Sequence, residues 1–227
     1  MSTVTNRIAT PSTLNVSSYA SGAFTPAVGD LLVAFIGKTA SVNDGSLTDS
    51  QGGTWTLIRN AGKVASADTL QLFVRNQLIA SASSMTVTYD CTGDAATGCI
   101  IQVASVAGMF RTGASAVSQN AAENNQAAGG TPAPVFAFNC QTGNPTLGAV
   151  FNATNPATMT PPASWTEQND TGYSTPGTGQ EYVSRDSGFT GTTITWGSTS
   201  GTAFCDIIVE LDTTTFPTID FRNSEVA

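Results

Sequence analysis

The sequence predicts an all-β protein: a jelly-roll-like β-sandwich built from two sequence-related halves, with almost no helix. Three observations predict it. Apolar residues come in strand-length runs or alternate with polar ones at period two, and no stretch carries the periodicity of a long amphipathic helix. Gly, Pro, Asn and Asp punctuate those runs at short intervals. The order of elements in residues 29–110 also returns in residues 143–212. Each half reads as an apolar strand, a polar loop, a Trp-Thr strand, a strand with an aromatic next to Val, and two strands around a small polar loop.

That last unit organises each half. Residues 85–106 read as a β-hairpin, with Val87 and Tyr89 alternating with Thr86 and Thr88 before a polar loop and a second strand. Near the C-terminus, Thr193-Ile-Thr-Trp matches Thr86-Val-Thr-Tyr, and Cys205-Asp-Ile-Ile matches Cys99-Ile-Ile with one residue inserted. One half alone leaves bare edges and an uncovered face, so the two are expected to pack face to face. A jelly roll that interleaves strands of both halves in each sheet satisfies this. Two separate small sandwiches are the alternative.

The elements follow in order. Residues 1–12 read as an N-terminal arm, and Leu14, Val16 and Tyr19 as a first short strand. Residues 24–30 are a turn marked by Pro26 and Gly29. Residues 31–37, LLVAFIG, read as a central strand buried on both faces. Residues 38–53 read as a polar surface loop, residues 54–59 as a strand anchored by Trp55, and residues 60–68 as another loop. In residues 69–76, Leu70, Leu72 and Val74 point one way and Gln71, Phe73 and Arg75 the other. Residues 108–130 are either a linker or a long loop with a weak strand at 116–121. Residues 134–138 are a strand, 146–151 correspond to the LLVAF run, 165–168 to 55–58, and 179–186 to 71–76. The sandwich is thus one domain, residues 13–212. Residues 213–227 form a C-terminal arm whose apolar anchors, Phe216, Ile219 and Phe221, are the candidate partner contacts.

Composition narrows the function. Hydrophobic residues make up 40%, enough for a sizeable core. Charged residues are only 11%, against about 25% in typical soluble domains. A surface of hydroxyls and amides suits a protein that lies against partners or works outside the cell. A net charge of −8 and a pI near 4.2 argue against binding a nucleic-acid backbone. No apolar run is long enough to cross a bilayer as a helix. The N-terminus lacks the apolar core of a secretory signal, so synthesis in a cytoplasm is expected. Four cysteines make no disulfide framework at this length. Cys99 and Cys205 read as buried small hydrophobes at matching places, while Cys91 and Cys99 flank one loop. With no histidine in the chain, zinc is not expected.

The same residues offer little chemistry. The Gly-rich residues 49–54 lack a strand-to-helix context and read as a turn rather than a phosphate cradle. Glu167, Glu181, Glu210, Asp170 and Asp186 are candidates for a glycosidase pair, yet no strand carries a tight acidic cluster. Asn43, Asp44 and Asp49 offer hard oxygen ligands for calcium at a spacing unlike an EF-hand, with a solvated acidic loop as the competing reading. No catalytic residue, resident metal or cofactor is expected. Trp55 with Trp165, and Tyr89 with Trp196, recur at matching places, as core positions of a repeat do. Tyr173 and Tyr182, flanked by Gly, Pro and Thr, are the candidate surface aromatics for a ligand.

One resemblance adds to this. Gly29-Asp-Leu-Leu-Val-Ala-Phe, Thr48-Asp-Ser-Gln-Gly-Gly-Thr-Trp-Thr, Leu72-Phe-Val-Arg-Asn and Met85-Thr-Val-Thr-Tyr together resemble a β-sandwich module of tailed-bacteriophage virion proteins and some bacterial surface proteins. The likeness covers residues 29–110 and, more faintly, 146–212. It implies a virion setting and carries no catalytic residues. Within it the chain looks like a capsid decoration, or cement, protein. Such a protein would be made in the host bacterial cytoplasm and sit as a homotrimer on the outer capsid surface. Its partner would be the major capsid protein, with no nucleic acid or membrane involved. A receptor- or glycan-binding module of a tail or head fibre is the alternative, and a glycan hydrolase a more distant one.

Overall fold

The computed structural model describes residues 2–41, 44–62, 68–91, 93, 95–153, 159–175 and 177–215. In chain order its strands are β1 (Thr3–Ser12), β2 (Ser18–Ala20), β3 (Leu31–Thr39), β4 (Ser46–Asp49), β5 (Trp55–Gly62), β6 (Thr69–Arg75) and β7 (Val87–Asp90). There follow β8 (Gly98–Ala107), β9 (Val117–Gln126), β10 (Thr146–Ala153), β11 (Thr166–Ser174), β12 (Gly177–Arg185) and β13 (Phe204–Leu211). A single turn of 3-10 helix, Gly113–Ala116, precedes β9. The chain is all-β, and all strand pairing is antiparallel.

Two five-stranded sheets form the body, in the orders β1-β8-β3-β6-β5 and β9-β13-β10-β12-β11. Taken by chain position within each half, both read first, fifth, second, fourth, third. The strands of the two halves do not interleave, as the jelly-roll expectation has them; each half keeps its own sheet. The inner faces pack on each other through a shared core. Leu31, Val33 and Phe35 of β3 meet Leu147, Ala149 and Phe151 of β10 there. Sheets packed this way lie about 10 Å apart. At Gly37 they come closer still, since a Cβ there would sit 2.3 Å from Gln180 Oε1 and 2.4 Å from the Phe151 ring.

Each outer face carries its own cover. On the first sheet, β2, β7 and β4 form a small three-stranded sheet. A second core lies between them, with Leu32, Ala34 and Ile36 of β3 under Tyr89 and Val87 of β7. This explains the unbroken apolar run of β3: odd positions fill one core and even positions the other, and every residue of the strand is buried. On the second sheet the cover is mostly non-strand chain, over a third core of Val150, Val183 and Ile208 beneath Phe136, Ile194 and Trp196. Residues 132–136 run beside 192–196, with Phe136 N donating to Thr192 O at 2.8 Å and Trp196 N to Pro132 O at 3.0 Å.

Several expectations are corrected. The hairpin at residues 85–106 is not one: β7 pairs with β2 and β4, whereas β8 pairs with β1 and β3. The loop between them crosses from the cover to the main sheet, because Val87, Tyr89, Cys99 and Ile101 all face the core between those layers. The second unit behaves alike, since residues 192–196 belong to the cover and β13 pairs with β10 and β9. Cys99 and Cys205 are not equivalent, for Cys99 lies under the first cover and Cys205 in the central core. The N-terminal arm is a strand of the body. Val4 is buried, and Ser2 Oγ and Val4 N both donate to Asp186, tying β1 to the second sheet. The polar loop at residues 38–53 ends β3 with buried Lys38 and Thr39 and contains β4. Beyond Thr215 the C-terminal arm lies outside the described residues.

Candidate functional site

The densest polar site of the first half grows from the turn Asp49-Ser-Gln-Gly-Gly-Thr-Trp. Asp49 ends β4 with its side chain buried. Its Oδ1 accepts the backbone N–H groups of Gln51 and Gly53, each at 3.0 Å. Its Oδ2 accepts Trp55 Nε1 at 3.0 Å and Arg75 Nε at 2.8 Å. Arg75 Nη1 then donates to the carbonyls of Gln77 and Leu78 at 3.0 and 3.2 Å. Burial pushes the Asp49 carboxyl up, but the Arg75 guanidinium, the Gly53 N–H and the Trp55 indole outweigh it and hold it below the usual range. Gly53 is required by this packing, because a Cβ would fall 2.3 Å from Arg75 Nε and from Asp49 Oδ2.

An open cleft of about 540 Å3 adjoins this node, lined by Gln51, Gly53, Arg75, Gln77, Ser81 and Ser83. Much of its lining is already engaged within the fold. Gln51 Nε2 donates to the carbonyls of Ser81 and Ser83 at 3.3 and 3.0 Å. Gln77 Oε1 accepts Thr54 N at 3.3 Å. The cleft is therefore neutral and amide-rich, and the charge of Arg75 is balanced by Asp49. A smaller groove of about 280 Å3 runs between the edge strands β5 and β9, lined by Thr56, Leu57, Ile58, Val117, Gln119 and Asn120.

The remaining candidates lie elsewhere. Of the calcium candidates, Asp49 is saturated as described, Asp44 Oδ1 accepts Gln71 Nε2 at 3.1 Å, and Asn43 lies outside the described residues. Among the described residues no group of three or more acidic or Cys side chains is placed to hold a metal. The two surface-aromatic candidates are not on the surface. Tyr182 is fully buried, its ring 5.3 Å from that of Phe35 across the sheet interface, and Tyr173 is 8% exposed in the same core. Both lie on strands whose inward positions they occupy, which the flanking Gly and Pro obscured. Tyr89 and Trp196 are buried on the inner side of their covers, and Trp55 and Trp165 are half-buried at the margins of the same cores. No disulfide joins the cysteines, all four of which are buried. Phe216, Ile219 and Phe221 lie outside the described residues.

The acidic residues gather where sequence reasoning did not place them. Asp170, Glu181, Asp206 and Glu123 sit in register across four strands of the second sheet, on its outer face beneath the cover. Glu210 lies farther along β13 and accepts Gln141 N, Asn144 Nδ2 and Gln119 Nε2 at 2.7, 2.8 and 2.7 Å. No single strand shows this grouping. The available signal was the alternation in Phe204-Cys-Asp-Ile-Ile-Val-Glu-Leu, which puts Asp206 and Glu210 on the same face as Ile208. None of these carboxyls lines either of the two clefts described, and Glu210 lies beside the buried Cys140 thiol. No family model, curated protein or solved structure matches the chain.

Proposed function

We propose that the chain is a non-enzymatic structural protein of a virion: a capsid decoration, or cement, protein. It binds the major capsid protein on the outer shell, as a homotrimer, and stabilises contacts between capsomers. The observation that carries this reading is the commitment of the reactive groups to the fold. Asp49, Arg75, Glu181, Glu210 and the four cysteines are all buried, and the open clefts mix amides and hydroxyls with apolar side chains. The motif resemblance supplies the virion setting. Shell binding needs a rigid body and interface area rather than chemistry. A formal net charge of −8 on the chain would help keep particles apart.

The C-terminal arm is the proposed partner contact, through Phe216, Ile219 and Phe221. Deleting residues 216–227 leaves every described strand of the body intact. The truncated chain is expected to keep its thermal melt and to lose occupancy on shells that lack the decoration protein. Unchanged occupancy would contradict the role of the arm, and failure of the full chain to bind would contradict shell binding itself. The cleft beside Arg75 favours a second reading, a glycan-binding module of a tail or head fibre, because neutral amides and hydroxyls suit a saccharide. That reading predicts saccharide binding that Gln77→Ala weakens and the arm deletion leaves intact.

A further inference from the structure

The outer face of the second sheet carries a straight row of side chains. Asp170 of β11 pairs with Glu181 of β12, Glu181 with Val150 of β10, Val150 with Asp206 of β13, and Asp206 with Glu123 of β9. The corresponding row of the first sheet passes through Ala34, which lies between the inward-facing Val33 and Phe35 as Val150 lies between Ala149 and Phe151. It reads Leu57, Phe73, Ala34, Val103, Ile8. Where one half has four apolar neighbours around its central residue, the other has four carboxyl groups.

Three of these carboxyls are bonded to the cover above them. Glu123 Oε2 accepts Ala133 N at 2.8 Å. Glu181 Oε1 accepts Trp196 Nε1 at 3.0 Å. Asp170 accepts the backbone N–H of Met159. Asp206 lies behind them, accepting Glu123 N at 2.9 Å and facing the Glu123 carboxyl. Asp170 Oδ2, Glu181 Oε2 and Asp206 Oδ2 are buried with no partner. None of the four acids forms an ion pair with a described Lys or Arg. The titratable neighbours that face them are acids too: Glu167 and Asp170 toward Glu181, and Glu123 toward Asp206. The central strand contributes Val150, and the bonded cover residues Ala133, Met159 and Trp196 do not titrate.

We infer that the cover of the second half, residues 132–136, 159–162 and 192–197, is held down by protons on this carboxyl row and loosens when the row ionises. A buried carboxylate with one oxygen unpartnered and no cation paired to it is costly, so the neutral form is favoured under the cover. Protonated Asp206 Oδ2 becomes a donor with Glu123 as its acceptor, and Glu123 in turn holds Ala133. Burial, reinforced by the neighbouring acids, pushes Asp170 up to about 6, Glu181 to about 8 and Asp206 to about 9. With all three raised, the native state binds more protons than the unfolded chain. The stability they contribute is full below the ordinary carboxyl range and is lost as pH rises from that range, through about 6 for Asp170 and about 8 for Glu181, to about 9 for Asp206. The first half has no such row, and its cover should not respond. This inference does not depend on the shell-binding proposal.

Amide hydrogen exchange on the full chain at pH 6 and pH 9, corrected for intrinsic rates, tests it. Phe136, Ile194 and Trp196, whose amides bond within the second cover, should lose protection by roughly tenfold or more, the factor that one pKa unit represents. Ser21, Phe24 and Met85, in the first cover, should keep theirs. The melting temperature should fall over the same range, and the double variant Asp206→Asn with Glu181→Gln should flatten that fall. Equal loss of protection in both covers, or none in either, would overturn the inference, and this contrast needs no variant to fold.

Discussion

Asp49 accepts hydrogen bonds from the turn that follows it, from Trp55 of β5 and from Arg75 of β6, and Arg75 closes the first half at that corner. Removing one member of a buried ion pair leaves the other charge uncompensated, at a cost of about 3–5 kcal/mol. Asp49→Ala should show that loss in chemical denaturation. Gly53→Ala should show a loss in the same direction with both charges still present, because the new Cβ meets the ion pair. The pH sign at this site opposes that of the carboxyl row. The Asp49 pKa is lowered, so its contribution is present above the ordinary carboxyl range and disappears as pH falls through the lowered value. Little of this was legible in the sequence. The Gly-Gly and the acidic residues were visible as a turn, but an Asp bound by an Arg 26 residues away looks the same in sequence as a solvated one.

At the scale of elements, β1 separates two views of the N-terminus. Its ladder with β8 runs from Thr3–Ala107 to Ser12–Cys99, and Asn6 N donates to Gln168 Oε1 of the second sheet at 3.0 Å. A net contribution of about 0.5–1 kcal/mol per backbone hydrogen bond amounts to several kcal/mol over such a ladder. At roughly 2–4 °C per kcal/mol for a chain of this size, deleting residues 2–12 should lower the melting temperature by about 10 °C or more in a calorimetric scan. A melt unchanged by the deletion would make β1 the free arm that its polar sequence resembles. Strands with strong apolar content, β3, β6 and β10, were legible because burial on both faces leaves no other pattern. β1 was not, and β9 only in part, as the weak-strand option at residues 116–121, since edge strands are half-exposed and their Thr, Asn and Ala carry little alternation. The false hairpin has a similar cause. Two strands around a short polar loop look alike whether they pair or arch between layers, and only the shared core decides.

At the scale of the molecule, four layers stack in one body, and buried polar groups at the central interface orient the two halves. Gln180 Nε2 donates to Gln102 Oε1 at 2.7 Å and to Phe35 O at 3.3 Å, entirely within the core. The all-β sandwich was legible from period and punctuation. The two sheets share one strand order, while the cysteine match fell on different faces. The carboxyl row was not legible, because it exists only across strands. The proposed role asks such a body, with Glu181, Asp206, Glu210 and all four thiols turned inward, to hold other molecules together. The copy number of the chain in purified particles of the phage that would encode it, measured by quantitative mass spectrometry against the major capsid protein, tests this most directly. A ratio near that of the shell subunit is the predicted result. A handful of copies per particle would contradict shell decoration in favour of a fibre role, and absence would contradict the virion assignment altogether.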